Sequence, residues 1–211
     1  MLLEFNKLLD KYGITPTGIL HIGAHYGQEH VHYENAKCNH VVYFEPHPNT
    51  FSELQNRLKS KPNVTLINKA LGSSSGVMDM YCSRNMDGMC NSLLRPQDHA
   101  TIYSTIIFDH TISVPVSTLD SECNLLPVDI KKILNCISID VQGYELEVFK
   151  GSEKILHQID CIFTEVNFRH MYESCGLISD LDAFLLPYGF TRVETHDTGS
   201  GWGDAFYLKQ K

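Results

Sequence analysis

Short apolar runs punctuate the chain, and the polar stretches between them carry helical spacing. Ile19 to Ile22 and Val41 to Phe44 read as strands buried on both faces, separated by a segment suited to a helix, Gln28 to Ala36. After the second run comes EPHPNTFSELQNRLKS, where Asn49 or Thr50 can cap a helix and Phe51, Leu54 and Leu58 recur at its period. Val64 to Ile67 supplies a third strand, Ile137 to Ile139 a fourth and Ile159 to Thr164 a fifth, with Tyr144 to Leu156 as the crossover helix between the last two. Strands alternating with helices predict an α/β fold, a mostly parallel sheet with helices on both faces. The end of the chain differs. FTRVETHD, a turn from Gly199 to Gly203, and DAFYLKQ predict a hairpin, so the sheet finishes with an antiparallel strand.

Between Gly72 and Val116 the βα rhythm breaks. A stretch of that length predicts a lid or binding wall, with mobile padding as the alternative. The opening MLLEFNKLLDKYG, residues 1–13, has acidic residues within its apolar run and reads as an amphipathic helix rather than a signal peptide. No stretch approaches the roughly 18 apolar residues of a membrane span. At 211 residues a single domain over 1–211 is expected.

Seventeen basic residues against twenty-five acidic ones give a net charge of −8, with the positive charges scattered, so a nucleic-acid or anionic-membrane partner is not expected. Seven cysteines without a CxxC pair predict buried free thiols in a reducing compartment, and a cytoplasmic location.

Candidate chemistry gathers where strands end. In ILHIGAHYGQE, Gly23 and Gly27 stand where the first strand turns into the first helix, and a missing side chain there lets a ligand approach the backbone. The third glycine of GxGxxG is absent, which counts against a dinucleotide and leaves a mononucleotide open. Glu45 closes the second strand twenty-two residues after Gly23, with Pro46 behind it, and a carboxylate at that place can accept hydrogen bonds from both hydroxyls of a ribose. Glycine turn and spaced acid together point to adenosine; taken alone, each is also explained by packing or by a solvated strand end.

ILHIGAHYGQE, VVYFEPHPNTFSEL, INKALG, SVPVSTLD, ISIDVQGYELEVFKGSEKIL and IFTEVNF, in that order, resemble the FkbM-type family of S-adenosylmethionine-dependent methyltransferases over roughly positions 18 to 208. IDVQGYELEVFKG is the most specific segment. Many relatives carry Asp where this chain has His21, so the polar support of the first loop differs. The resemblance implies a Rossmann-like methyltransferase sheet and O-methylation, most often of a sugar or polyketide hydroxyl. It also implies residue roles. Gly23, Ala24, His25, Gly27 and Glu29 would surround the methionine part of S-adenosylmethionine, with Glu45 on the ribose and Asn68, Lys69, Ala70 and Leu71 beside the adenine. Asp140 and Gln142 would sit by the sulfonium, and Ser92, in NSLL, matches a serine that follows the variable loop.

Methyl transfer to a hydroxyl needs the two reactants held in line and a base for the departing proton. Asp140, Glu165 and His170 all fall at or just past strand ends, where open α/β sheets hold ligands, and form the expected catalytic trio, although Asp140 could serve only to orient the acceptor. A divalent ion such as Mg or Mn on Asp140, Glu165 and Asn167 is a second way to activate the hydroxyl. Zinc on His21, His25, His30 and His32 is disfavoured, because His30 and His32 are two apart on a helix and point to different sides. Trp202 is either a carbohydrate-stacking wall or packing. The leading expectation is O-methylation of a glycan or glycoside hydroxyl, with a polyketide or other small molecule as the alternative acceptor. A nucleotide-binding module without catalysis is the third reading, and the retained Asp140, Glu145 and Glu165 argue against it.

Overall fold

A computed structural model describes residues 2–210. The chain begins with helix α1 (Phe5–Tyr12) and then enters β1 (Gly18–Ile22), α2 (His30–Asn35), β2 (His40–Phe44), α3 (Pro48–Leu58) and β3 (Val64–Ile67). Helix α3 starts where Pro48 follows His47, whose ring nitrogen accepts the Thr50 N–H, so the cap falls at His47 rather than at Asn49 or Thr50. A second, smaller sheet follows, from β4 (Ala70–Leu71), β5 (Gly76–Ser83) and β6 (Phe108–Ser117), with α4 (Asp98–Ile102) in the connection between β5 and β6. The main sheet resumes through α5 (Leu119–Leu125), α6 (Val128–Ile133), β7 (Cys136–Ile139), α7 (Glu145–Lys150) and β8 (Cys161–Asn167). Helix α8 (Ile178–Leu185) and the hairpin of β9 (Phe190–Asp197) and β10 (Trp202–Lys209) end the fold.

The seven-stranded sheet has the order β3-β2-β1-β7-β8-β10-β9, and β10 alone runs against the others. The expected hairpin is present, but its second strand inserts between β8 and β9, so the antiparallel strand lies one place in from the edge. Burial explains the choice. Gly203 to Tyr207 of β10 are all buried, as an inner strand requires, whereas β9 is mostly open to solvent and suits an edge.

Strand parity divides the core into two layers. Leu20, Ile22, Val42, Phe44, Ile137 and Ile139 pack on one face with Val148 and Phe149 of α7 and Leu181 and Leu185 of α8. Ile19, Val41, Tyr43 and Cys136 pack on the other against Phe5, Leu8 and Leu9 of α1 and Leu54 and Leu58 of α3. All seven cysteines are free thiols, six of them buried.

Three expectations change. The stretch from Gly72 to Val116 is no bare lid: its two ends, β5 and β6, fold with β4 as a small sheet around Met80, Cys82, Val114 and Val116, and the connection between them carries α4. The crossover helix is shorter than Tyr144 to Leu156, because Gly151 closes α7 with its N–H on the Glu147 and Val148 carbonyls, and a 3₁₀ turn, Ile155–Gln158, carries the chain on. Strand β8 runs three residues past Thr164, which places Glu165 and Asn167 inside the ladder rather than beyond it. Among the described residues no helix is long and apolar enough to cross a membrane.

Candidate functional site

The carboxyl ends of β1, β2, β7 and β8 bring the polar residues together. Ile139 pairs with Thr164, so one step further Asp140 leaves β7 beside Glu165 of β8. Across the β8/β10 ladder Glu165 faces Asp204 and Asn167 faces Trp202, and the two-residue period puts all four side chains on one side of the sheet.

A cavity of about 200 Å³ opens between the ends of β1, β2 and β7 and the smaller sheet. Every residue expected at the cofactor lines it except Ala24, Gly27 and Asn68. Ala24 is buried in the core, with its N–H on the Phe44 carbonyl. Gly27 packs on α3, where a Cβ would come within 2.8 Å of Leu54. Asn68 donates to the carbonyls of Glu45 and Pro46 at 2.7 and 3.0 Å, bracing the strand end from behind. Gly23 does line the cavity, at φ +79°, but its missing side chain makes room for protein: a Cβ there would sit 1.8 Å from the Asp140 carbonyl oxygen.

Glu45 uses both carboxylate oxygens on backbone. Oε2 accepts the His25 N–H at 2.9 Å and Oε1 the His47 N–H at 2.8 Å. Burial still outweighs these bonds and pushes the carboxyl up to about 7. His25 is held in the left-handed region at φ 48°, and its ring accepts from Gln28 and donates to the Asp87 carbonyl at 2.7 Å, tying the β5–β6 connection over the cavity. His21 at the cavity floor pairs with the Tyr33 hydroxyl, and burial lowers its ring to about 4, so it is neutral near pH 7. His30 pairs with the Tyr43 hydroxyl.

A second cavity, of about 300 Å³, lies on the other side of Asp140 and Gln142. Those two residues and Met89 border both spaces. Its walls include Tyr103, Tyr172 and Trp202, with Glu165 and Asn167 from β8. Trp202 is half-buried and donates its indole N–H to the Tyr103 hydroxyl at 2.8 Å.

One amide organises the border. Gln142, at φ 55°, donates its Nε2 hydrogens to Asp140 Oδ1 at 2.8 Å and Glu165 Oε2 at 2.9 Å. Its Oε1 accepts from the Tyr172 hydroxyl at 2.7 Å, and its backbone carbonyl accepts from Ser92 at 2.7 Å. A non-glycine residue held left-handed at such a position is strain the surroundings must maintain. Glu145 takes the N–H groups of Val141 and Gly143 on one oxygen, fixing the same turn from below. Desolvation raises Asp140, Glu145 and Glu165 above the usual carboxylate range, and the neighbouring Asp140 and Glu145 charges push Glu165 higher still.

Of the three residues expected to act together, Asp140 and Glu165 meet, while His170 is exposed and lines neither cavity. The strand ends at Asn167, and Arg169, ion-paired with Asp98 at 2.8 Å, carries the chain outward before His170. Among acidic side chains, Asp140, Glu145 and Glu165 place carboxylate oxygens within 4.8 Å of one another, and Asn167 lines the second cavity with Asp140 and Glu165. Tyr172, Tyr103, His99 and Met89 carry no sequence signal of their own, because they sit in irregular segments or a one-turn helix without periodicity. The segment IDVQGYELEVFKG carries the sequence signal for the border, since it holds Asp140 and Gln142.

Residues 21–192 match a family described as the methyltransferase FkbM domain. The chain is 28% identical over 136 residues to the 2-O-methyltransferase NoeI of Sinorhizobium fredii, a match covering 62% of this chain and 54% of NoeI, so it spans about half the length of that curated relative. Among solved structures it is similar in fold to the magnesium protoporphyrin IX methyltransferase ChlM of Synechocystis with bound SAM, at TM-score 0.54 and 10% identity, over 97% of this chain and 76% of ChlM. Aeropyrum pernix fibrillarin, also with S-adenosyl-L-methionine, gives TM-score 0.54 and 10% identity over 96% of this chain and 73% of its own.

Proposed function

Because this chain belongs to the methyltransferase FkbM family, we propose that it moves the methyl group of S-adenosylmethionine to a hydroxyl oxygen of a sugar. The observation that carries the reading is the meeting of two cavities at Asp140 and Gln142, one with a buried acid at Glu45 and one with aromatic walls and a second acid at Glu165. NoeI, a 2-O-methyltransferase, supports oxygen as the acceptor atom.

The residues of the first cavity fit the cofactor. Glu45 is 7% exposed and lines the cavity, with backbone donors fixing its position, and each carboxylate oxygen keeps a lone pair for a hydroxyl of a diol. When bound, S-adenosylmethionine supplies an electrophilic methyl on a sulfonium. Glu45 would accept the ribose hydroxyls, with Ala70 and Leu71 against the base and the Gly23 turn beside the amino-acid part. Gln142 would keep Asp140 and Glu165 at fixed separation on the border. Two adjacent buried acids are both raised and favour sharing one proton, and Asp140, which borders both cavities, is the one placed between methyl donor and acceptor and would be the base for the acceptor proton. In this reading the pair works without a metal ion, because the Gln142 nitrogen already bridges the two carboxylates where an ion would bind.

Incubation with methyl-labelled S-adenosylmethionine and a panel of methyl glycosides tests this. Label in an ether-linked product is expected. Tight cofactor binding without transfer to any hydroxyl acceptor would favour the non-catalytic nucleotide-binding reading.

A further inference from the structure

We infer that Asn167 selects the acceptor, by reading a second, non-reacting hydroxyl on an uncharged sugar-like ring laid against Trp202. The inference rests on the methyltransferase reading above and concerns only the second cavity.

Asn167 is 1% exposed and lines that cavity, yet neither its amide oxygen nor its amide nitrogen has a hydrogen-bond partner among the described residues. Buried amides are ordinarily paired, so two open positions on one side chain mark a place kept for something else. An amide offers one donor and one acceptor side by side, which is what a hydroxyl, itself donor and acceptor, needs to be held from both directions. The Nδ1 of His99, 6% exposed and on the same cavity, is also buried and unpartnered.

The surroundings define the rest of the ligand. Trp202 stands directly opposite Asn167 in the β8/β10 ladder, so an aromatic surface lies beside the amide. A pyranose ring has this two-sided character, with C–H groups on its faces and hydroxyls at its edge. Among the described residues neither Lys nor Arg lines the cavity, whereas Asp140 and Glu165 do. A carboxylate or phosphate near the reacting hydroxyl would be desolvated there without a counter-charge.

Trp202 is the only tryptophan, so its fluorescence reports the cavity directly. With S-adenosylhomocysteine present, the protein is titrated with neutral methyl hexosides, their singly deoxygenated analogues, and the matching uronates and 6-phosphates. Saturable quenching is expected from neutral hexosides, with the anionic forms and one particular deoxy analogue at least tenfold weaker. Asn167→Leu is expected to weaken the preferred hexoside about tenfold and to bring that deoxy analogue level with it, while S-adenosylhomocysteine affinity by calorimetry stays within twofold. If circular dichroism shows that Asn167→Leu does not fold, His99→Phe replaces it, with a severalfold loss of hexoside affinity expected. Equal binding of anionic and neutral sugars, or unchanged discrimination in the folded variant, overturns the inference. S-adenosylhomocysteine binding without any quenching by hexosides overturns it as well and leaves the cofactor reading standing, whereas failure to bind S-adenosylhomocysteine removes the reading on which it rests.

Discussion

Tyr172 donates its hydroxyl hydrogen to Oε1 of Gln142 at 2.7 Å, and that single bond decides which end of the amide faces the acids. With the oxygen held, the nitrogen points to Asp140 and Glu165. A residue in an irregular loop thereby sets the geometry of two strand-end carboxylates. Tyr172→Phe leaves Oε1 of Gln142 buried without its donor, at about 1–3 kcal/mol. A fall in kcat of roughly tenfold is expected as the amide loses its fixed orientation, with cofactor affinity within twofold. An unchanged kcat in the folded variant would show that amide orientation is irrelevant to turnover.

Asp140 and Glu165 should respond differently to loss of charge. Asp140→Asn removes the proposed base and is expected to lower kcat by about 10²–10⁴-fold. Glu165→Gln keeps the shape of a side chain that lines only the second cavity and not the first, and is expected to cost about tenfold or less. Steady-state kinetics on both variants separate the roles; a larger loss in Glu165→Gln would reverse the assignment.

Stability should fall as pH rises from 6.5 to 8. Burial holds Glu45 near 7, above an unfolded carboxyl near 4.5, so the folded state binds the extra proton. The stabilisation from that proton is complete below the unfolded value and is lost as pH climbs through the folded one. The buried histidines pull the other way, by about 0.4 kcal/mol or less each across this window, since burial lowers His21 and His99 while an unfolded histidine is half protonated near 6.5, and this part is common to wild type and variant. From Glu45 alone the loss across this window is about 1 kcal/mol. Urea unfolding of the wild type and Glu45→Gln at the two pH values should show it as a difference: the variant loses about 1 kcal/mol less across the window, with Glu145, also held near 7, supplying a remaining slope. An identical slope in the folded variant would contradict the assignment.

Chelation should leave the activity alone. Gln142 already supplies both carboxylates with a donor, so EDTA followed by desalting is expected to retain full turnover. Loss on chelation with recovery on Mg or Mn would instead assign an ion to Asp140, Glu145 and Glu165.

What could be read from the sequence was what strand periodicity controls. Glu45 and Asp140 stand at the ends of short apolar runs, and Glu45 lines the first cavity while Asp140 borders both. Residues past a strand end were harder to place, because the end itself was uncertain: β8 extends through Asn167, which brings Asn167 into the wall and carries His170 out to solvent. Gly23 was recognised as a turn glycine, but only the packed structure assigns its space to the Asp140 carbonyl rather than to a ligand. Tyr172, His99 and Tyr103 reach the second cavity through long-range contacts among themselves and with Trp202, which no local pattern encodes.

Calorimetric titration of S-adenosylhomocysteine into the wild type, Glu45→Ala and Asp140→Asn tests the central claim most directly. The account expects binding to the wild type, a loss of about 1.5–3 kcal/mol in Glu45→Ala, which is roughly 10- to 150-fold, and a change of no more than a few-fold in Asp140→Asn. Wild-type affinity in Glu45→Ala, or no binding to the wild type, would contradict it.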